Sequence, residues 1–371
     1  MSWSPDELLR YQRHLSLSGF GPEAQEKLKR GSVLVIGAGG LGCPALLYLA
    51  AAGVGRITII DADIVDVSNL QRQILYTTAD TGISKSEAAA ARLRALNPLI
   101  KVTPVVARFT HDNALAFVAA HDVVLDGSDN FATRYLVNAA CVLAGRPLVY
   151  GAIQGFEGQA SVFNFRGGPT YRCLFPEPPA PGTVPNCAEA GVLGVLPGLI
   201  GTIQATEAIK LLTGLGEPLS GRLLLWNSLT MTSRTLRFAA DAVSRAITEL
   251  PPEGYGETCA VSSAVSVSNP DELSAAELRA RLGSVQLIDV REDWERALGA
   301  IQPSVHAPLG TLEADSARAT LASLEPQRPT VVYCAGGVRS MKALKPLREL
   351  HGFTSVISLR GGYKNWAASS S

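Results

Sequence analysis

Residues 32–53 read SVLVIGAGGLGCPALLYLAAAG. Residues 32–36 form a short β-branched run, residues 37–42 contain four glycines, and the Ala/Leu-rich remainder through Ala52 has a helical pattern. The order is strand, glycine turn, helix. In Gly37-x-Gly39-x-x-Gly42 the missing side chains let the backbone turn tightly, which brings main-chain N–H groups and a helix N-terminus close to an anionic phosphate. A second β-branched run over 57–60 ends at Asp61, where a carboxylate can accept hydrogen bonds from ribose hydroxyls. That pairing fits NAD as well as ATP.

Downstream, Ser84 and Glu87 have the spacing of a capping box before a helix over 88–96. Further strands are expected over 102–109 and 123–125, with helices over 113–120 and 130–144. Such alternation predicts an α/β fold with a parallel sheet covered on both faces. After Tyr150 the pattern changes to Gly-rich alternating segments such as 159–165, then to a Pro-rich stretch over 176–185 that is expected to be a long loop. The interval 251–267 has little apolar periodicity and the composition of a linker, dividing the chain into a domain over 1–250 and another over 268–371. In the second domain, strands are expected over 287–290, 330–333 and 356–359, and a helix over 340–350.

The 371 residues contain 33 Lys+Arg and 33 Asp+Glu, so no global field favours nucleic acid or an anionic membrane. Hydrophobic residues make up 47%, which suits large buried cores. The longest apolar stretch, 190–203, is shorter than a spanning helix and is broken by Gly191, Gly194, Pro197, Gly198 and Gly201. No membrane partner is expected. The N-terminus, with Asp6, Glu7, Arg10 and Arg13 in a helical pattern, lacks the features of a signal peptide, and cytoplasmic localisation is expected. Six cysteines, at 43, 141, 173, 187, 259 and 334, are too few and too scattered for a disulfide framework, so reduced thiols are expected.

Charged residues separate the nucleotide classes. Phosphoryl chemistry is catalysed largely by positioning and by cations on the phosphates, so Arg72 and Lys85 suit a triphosphate and Asp129 suits a magnesium ligand. A nicotinamide site requires none of these. With Leu9-Arg10-Tyr11-x-Arg13, Asp61-x-Asp63, Ser68-Asn69-Leu70-Gln71-Arg72-Gln73, Asp129-Asn130 and the Cys187 to Val192 segment, residues 5–240 closely resemble the adenylating enzymes that activate ubiquitin-like sulfur carriers. These are the molybdopterin-synthase adenylyltransferases and their thiamine-pathway and eukaryotic relatives. The resemblance implies a Rossmann-like domain with a mostly parallel sheet that binds ATP and Mg2+ through Gly37, Gly39, Gly40, Gly42, Asp61, Ser68, Asn69, Leu70, Gln71, Arg72, Lys85, Asp129 and Asn130. It also implies a homodimer in which Arg13 reaches the partner's nucleotide. The substrate would be a carrier protein ending in Gly-Gly, whose carboxylate attacks the α-phosphate. Cys187 closes the Pro-rich loop and is the candidate for a covalent relay.

Cys334-Ala335-Gly336-Gly337-Val338-Arg339-Ser340 lies between a strand and a helix, so loop amides and the helix N-terminus can face the sulfur, and Arg339 adds positive charge. With 287–292 and the Leu359 to Trp366 segment, this resembles the rhodanese sulfurtransferases over 268–367. Four residues between Cys334 and Arg339 make a loop suited to sulfur rather than phosphate. Asp289 is expected to hold the central loops and Trp366 to be core. A persulfide on Cys334, charged by a cysteine desulfurase or thiosulfate, would then transfer sulfur to the activated carrier.

Two departures stand out. Many relatives hold zinc with two C-x-x-C pairs, a set suited to tetrahedral tetrathiolate coordination. Here the first pair is Thr170-x-x-Cys173 and the second is reduced to Cys259, so no zinc is expected. The segment Ala300-Ile301-Gln302-Pro303-Ser304 also replaces the usual Gly-x-Ile-Pro-Gly. Two other functions suit parts of the pattern: an NAD-dependent oxidoreductase, on Gly37 to Gly42 and Asp61, and a noncatalytic carrier-binding scaffold.

Overall fold

A computed structural model describes residues 3–179, 191–253, 255, 270–314 and 316–368. Cys187, Cys259 and most of the expected linker lie outside the described residues. The chain divides into two compact units, 1–258 and 259–371.

The first unit is built on an eight-stranded sheet. Its strands are β1 (Ser32–Ile36), β2 (Arg56–Ile60), β3 (Lys101–Val105), β4 (Val123–Asp126), β5 (Leu148–Gln154), β6 (Glu157–Phe163), β7 (Arg222–Asn227) and β8 (Thr232–Arg237). They lie in the order β3-β2-β1-β4-β5-β6-β7-β8. The first five are parallel, with Val35 opposite both Ile59 and Leu125; β6, β7 and β8 then add antiparallel. The expectation of a parallel sheet therefore holds for the segment where strands and helices alternate, and gives way where hairpins replace the helices.

Every residue of β1 is buried. Val33 and Val35 pack with Leu46 and Leu49 of α3 (Gly42–Ala52) and with Ala205 and Ala208 of a helix over Leu196–Thr213. Leu34 and Ile36 face a second cluster with Val124, Tyr135 and Tyr150. A strand covered on both faces explains why its sequence is apolar throughout instead of alternating.

Two local expectations are corrected. The strand expected over 102–109 stops at Val105, and the turn beyond is fixed by Asn113, whose Nδ2 donates to the Arg108 carbonyl and whose Oδ1 accepts from Thr110 N. The Ser84/Glu87 capping box does not form: Ser84 Oγ pairs with Ser86 Oγ, and the first N–H of α4 (Lys85–Leu96), that of Lys85, is satisfied by the Asp63 carbonyl. An actual capping box opens α1 (Pro5–Leu15), where Ser4 and Glu7 exchange hydrogen bonds. The Lys29 ammonium, 2.7 Å from Glu7, holds that carboxyl below its ordinary range.

Among its described residues the second unit has five parallel strands, β9 (Glu272–Leu273), β10 (Gln286–Asp289), β11 (Val305–His306), β12 (Thr330–Tyr333) and β13 (Val356–Leu359), ordered β11-β10-β12-β13-β9. Its core packs Ile288, Val332, Ala343 and Leu347 together. The helix after β12 runs Val338–Glu349, two residues earlier than expected. Trp366 is half-buried at the edge of the core rather than within it, under the Arg279 guanidinium at 4.4 Å from the ring centroid. Among the described residues no helix is long and apolar enough to cross a membrane.

Candidate active sites

In the first unit β1 has β2 on one side and β4 on the other, so the chain reverses direction across the sheet at this point. Open α/β sheets bind ligands at the carboxyl ends of the strands at such a reversal. The glycine turn leaves β1 there. Gly37 has φ +87°, and a Cβ on Gly42 would collide with the Gly37 carbonyl oxygen. Gly127, after β4, is packed against that same oxygen.

Asp61 anchors the turn. Its Oδ2 accepts from Ala38 N at 2.7 Å and its Oδ1 from Asp63 N at 2.8 Å. Burial pushes the carboxyl up despite these donors. Each oxygen keeps a second lone pair, so the group can still accept from hydroxyls. Tyr76, which the motif analysis passed over, ties the turn to α4 by donating to the Ala38 carbonyl at 2.7 Å and standing 3.2 Å from the Lys85 carbonyl. Its position inside an apolar run gave no hint of this.

The cations surround the turn, each already engaged. Lys85 Nζ, its side chain only 7% exposed, pairs at 2.8 Å with Asp63, whose side chain is 70% exposed. Arg72 donates to the Ser68 carbonyl at 3.2 Å, and its Cδ would stand 3.8 Å from a Cβ on Gly40. Gln73 lies beside it, buried, with Nε2 3.6 Å from where a Cβ on Gly39 would be and Oε1 without a hydrogen-bond partner. Ser68 N and Oγ both donate to Asp66, which lowers that carboxyl. The Asn69 carbonyl accepts from the N–H groups of Arg72 and Gln73 and so shapes this turn.

The remaining candidates do different jobs. Leu70 packs against the first core cluster, and Gln71 is exposed with its carbonyl close to Gly194. Asn130 caps a helix, α6 (Phe131–Leu143), by accepting from Thr133 N at 2.9 Å. Asp129 is exposed at the end of the β4 turn. Beneath it, buried Asp126 accepts from Ser128 N at 2.9 Å and from Gln204 Nε2 through its carbonyl at 2.7 Å, while Arg134 donates to the Ser128 carbonyl. Burial raises the Asp126 carboxyl. Arg13 is exposed on α1. A hollow of about 210 Å³ lies near it, lined by His14, Tyr48, Thr202 and Thr206.

In the second unit, Cys334 is 1% exposed at the floor of its loop. Gly337 N donates to Sγ at 3.1 Å, with Gly337 at φ +99°, and Ser340 Oγ stands 3.5 Å from the same sulfur. The loop is braced from outside: Tyr363 N and Lys364 N donate to the carbonyls of Cys334 and Ala335, and a Cβ on Gly362 would collide with the Cys334 carbonyl oxygen. Gly336 and Val338 are exposed at the loop's rim.

Arg339 carries a partner of its own beside the loop. Both of its terminal nitrogens bond the Glu295 carboxylate, at 2.6 and 2.5 Å, so its charge is matched before any anion arrives. Burial pushes Glu295 up, but the Arg339 pair overrides it and holds the carboxyl below the ordinary range. Asp289, fully buried, pairs with Arg291 and Arg296, and Arg291 donates onward to the Glu295 and Gly299 carbonyls.

The residues facing Cys173 also differ from expectation. Cys173 Sγ accepts from Thr170 N and Asp241 N, both at 3.3 Å, and Thr170 Oγ1 donates to the Ser244 carbonyl. Asp241-x-x-Ser244 therefore stands opposite Thr170-x-x-Cys173. One thiol amid main-chain amides does not make a tetrathiolate set, so these residues do not fit zinc. Among the described residues there is no group of three or more His, Cys, Asp or Glu that could hold a metal ion.

Comparison with known proteins finds a family for each unit. The ThiF family profile matches residues 11–245 and that of the rhodanese-like domain residues 274–369. The chain is 46% identical over 98% of its length, and 94% of the other's, to a probable adenylyltransferase/sulfurtransferase MoeZ of Mycobacterium tuberculosis. It is 55% identical over 64% of its length, and 89% of the other's, to a sulfur carrier protein adenylyltransferase of Thermus thermophilus. Among solved structures, that of E. coli MccB with MccA-N7isoASN superposes with a TM-score of 0.58 over 65% of this chain and 74% of that one, at 22% identity, a likeness of fold. The chain belongs to the ThiF family and carries a rhodanese-like domain at its C-terminal end.

Proposed function

We propose that the chain uses ATP to adenylate the C-terminal Gly carboxylate of a ubiquitin-like sulfur-carrier protein, then transfers sulfur to it from a persulfide on Cys334. The observation that carries this reading is the gathering of Arg72 and Lys85 around the Asp61-anchored glycine turn. The carrier carboxylate attacks the α-phosphorus, the bond to the β-phosphate oxygen breaks, and pyrophosphate leaves as Arg72 and Lys85 take up its charge. Lys85 must exchange Asp63 for phosphate, which the exposure of Asp63 makes easy. Mg2+ would neutralise phosphate charge, with Asp129 the candidate carboxylate to hold it. Gln73 Nε2 is placed to donate to the same anion.

The outer sulfur of the Cys334 persulfide then attacks the acyl carbon and AMP leaves, giving an acyl disulfide. A second thiol, for which Cys187 is the candidate, attacks Cys334 Sγ, releases the carrier thiocarboxylate and forms a disulfide that a cellular dithiol reduces. The persulfide is charged by a cysteine desulfurase or by thiosulfate, and the cytoplasm supplies the reducing conditions. A homodimer with Arg13 reaching the partner's nucleotide accounts for the exposed Leu9 on α1, Tyr48 on α3 and Leu199 beside the hollow at Thr202. The relatives' names favour this chemistry over nicotinamide oxidation or a noncatalytic scaffold.

The test is ATP–pyrophosphate exchange by the full chain with a Gly-Gly-ended carrier. Lys85→Ala and Arg72→Ala should each lower exchange about 100-fold or more, whereas Cys334→Ala should leave it intact and abolish carrier thiocarboxylate. Lack of exchange by the unaltered chain with every carrier of this class would overturn the proposal.

A further inference from the structure

Beneath the Cys334 loop lies a chain of hydroxyls that the sulfur-transfer scheme does not use. Ser340 Oγ is 2.8 Å from the Gly337 carbonyl, 2.8 Å from Ser358 Oγ and 3.5 Å from Cys334 Sγ. Ser340 and Ser358 are both fully buried, out of reach of bulk solvent. The two residues come from different elements, the first turn of the helix after β12 and the interior of β13, so their meeting under the sulfur is a product of the fold.

A serine hydroxyl has one proton to give and two lone pairs to receive. With Cys334 as a thiol, each proton has one destination: Ser340 donates to the Gly337 carbonyl, while Ser358 and the Cys334 S–H both donate to Ser340 Oγ. Once Sγ loses its proton, as thiolate or as the inner sulfur of a persulfide, it needs donors. Gly337 N is one. Ser340 can supply the second by turning its proton from the Gly337 carbonyl to Sγ, and Ser358 keeps the Ser340 oxygen satisfied as it does so. Arg339 is poorly placed to compensate, because Glu295 holds both of its terminal nitrogens.

We propose that Ser340 is the hydroxyl donor that stabilises deprotonated Cys334, and that Ser358 is a positioning residue acting through Ser340. This rests on the reading of Cys334 as the sulfur-bearing nucleophile. The step it affects is the first half of transfer: Cys334 thiolate attacks the outer sulfur of thiosulfate, the S–S bond of thiosulfate breaks, sulfite leaves and the persulfide anion remains.

The experiment measures sulfite release from thiosulfate by the full chain across pH. Ser340→Ala should lower kcat/KM about tenfold near neutrality, the effect of one hydrogen bond to a charged group. The deficit should close at alkaline pH, so that the profile is displaced rather than scaled. Ser358→Ala should displace it in the same direction by less, about threefold. Thr320→Ala, which removes an exposed hydroxyl of the same unit, controls for general damage and should leave the profile unchanged. A Ser340→Ala profile that coincides with the unaltered one, or is lowered equally at every pH, overturns the inference and leaves the reading of Cys334 standing. Equal displacement by Thr320→Ala also overturns it. No sulfite from the unaltered chain removes the reading of Cys334, and the inference with it.

Discussion

Arg339 and Glu295 show how a residue can be legible in the sequence while its partner is not. The motif places an arginine beside a sulfur; the fold gives that arginine a carboxylate. Because the Glu295 carboxyl is held below its ordinary range, the pair contributes stability above pH 4.5, the ordinary Glu value, and loses it as the pH falls through the lowered value. Asp289, which burial raises but Arg291 brings below its ordinary value, acts in the same direction. Thermal unfolding of the full chain should therefore show the rhodanese-like unit weakening as the pH falls below 4.5, the ordinary Glu value. Glu295→Gln should lower stability near neutrality by about 1–3 kcal/mol and flatten the acid slope. An unchanged slope would mean that the pair is not what senses acid.

At the scale of elements, the glycine turn is where sequence and structure agree most closely. β1 occupies 32–36 and α3 ends at Ala52, as residues 32–53 lead one to expect, because a buried strand and an Ala-rich helix are both strongly patterned. Gly42→Ala should cost about 2 kcal/mol or more in denaturant unfolding, since the added methyl meets the Gly37 carbonyl. Gly198→Ala, in a helix and facing open space, should be neutral or stabilising by up to about 1 kcal/mol. What the sequence could not convey is contact across long separations. Asp241 and Ser244 carry no thiol and so gave no signal, yet they meet Thr170 and Cys173 and do by hydrogen bonding what ligands do around a metal. Tyr76 was hidden in the same way: it is an unremarkable residue until the fold sets it under a turn. A chelator should leave the melting temperature unchanged, while Cys173→Ser, which shortens the reach to Asp241 N, should cost about 1 kcal/mol.

For the whole molecule, the proposed dimer has a quantitative consequence. If each site takes Lys85 from one chain and Arg13 from the other, mixing Arg13→Ala chains with Lys85→Ala chains restores one complete site per mixed dimer. Random pairing should recover about a quarter of the normal exchange activity; no recovery would place Arg13 outside the neighbouring site. The eight-stranded sheet itself ends at β3 on one side and β8 on the other. Pro104 removes an N–H from the first margin, and Arg234 and Arg237 stand exposed on the second. Proline and like charges at its borders both discourage another polypeptide from adding on, so this broad sheet should resist growth into fibrils even when the protein is concentrated.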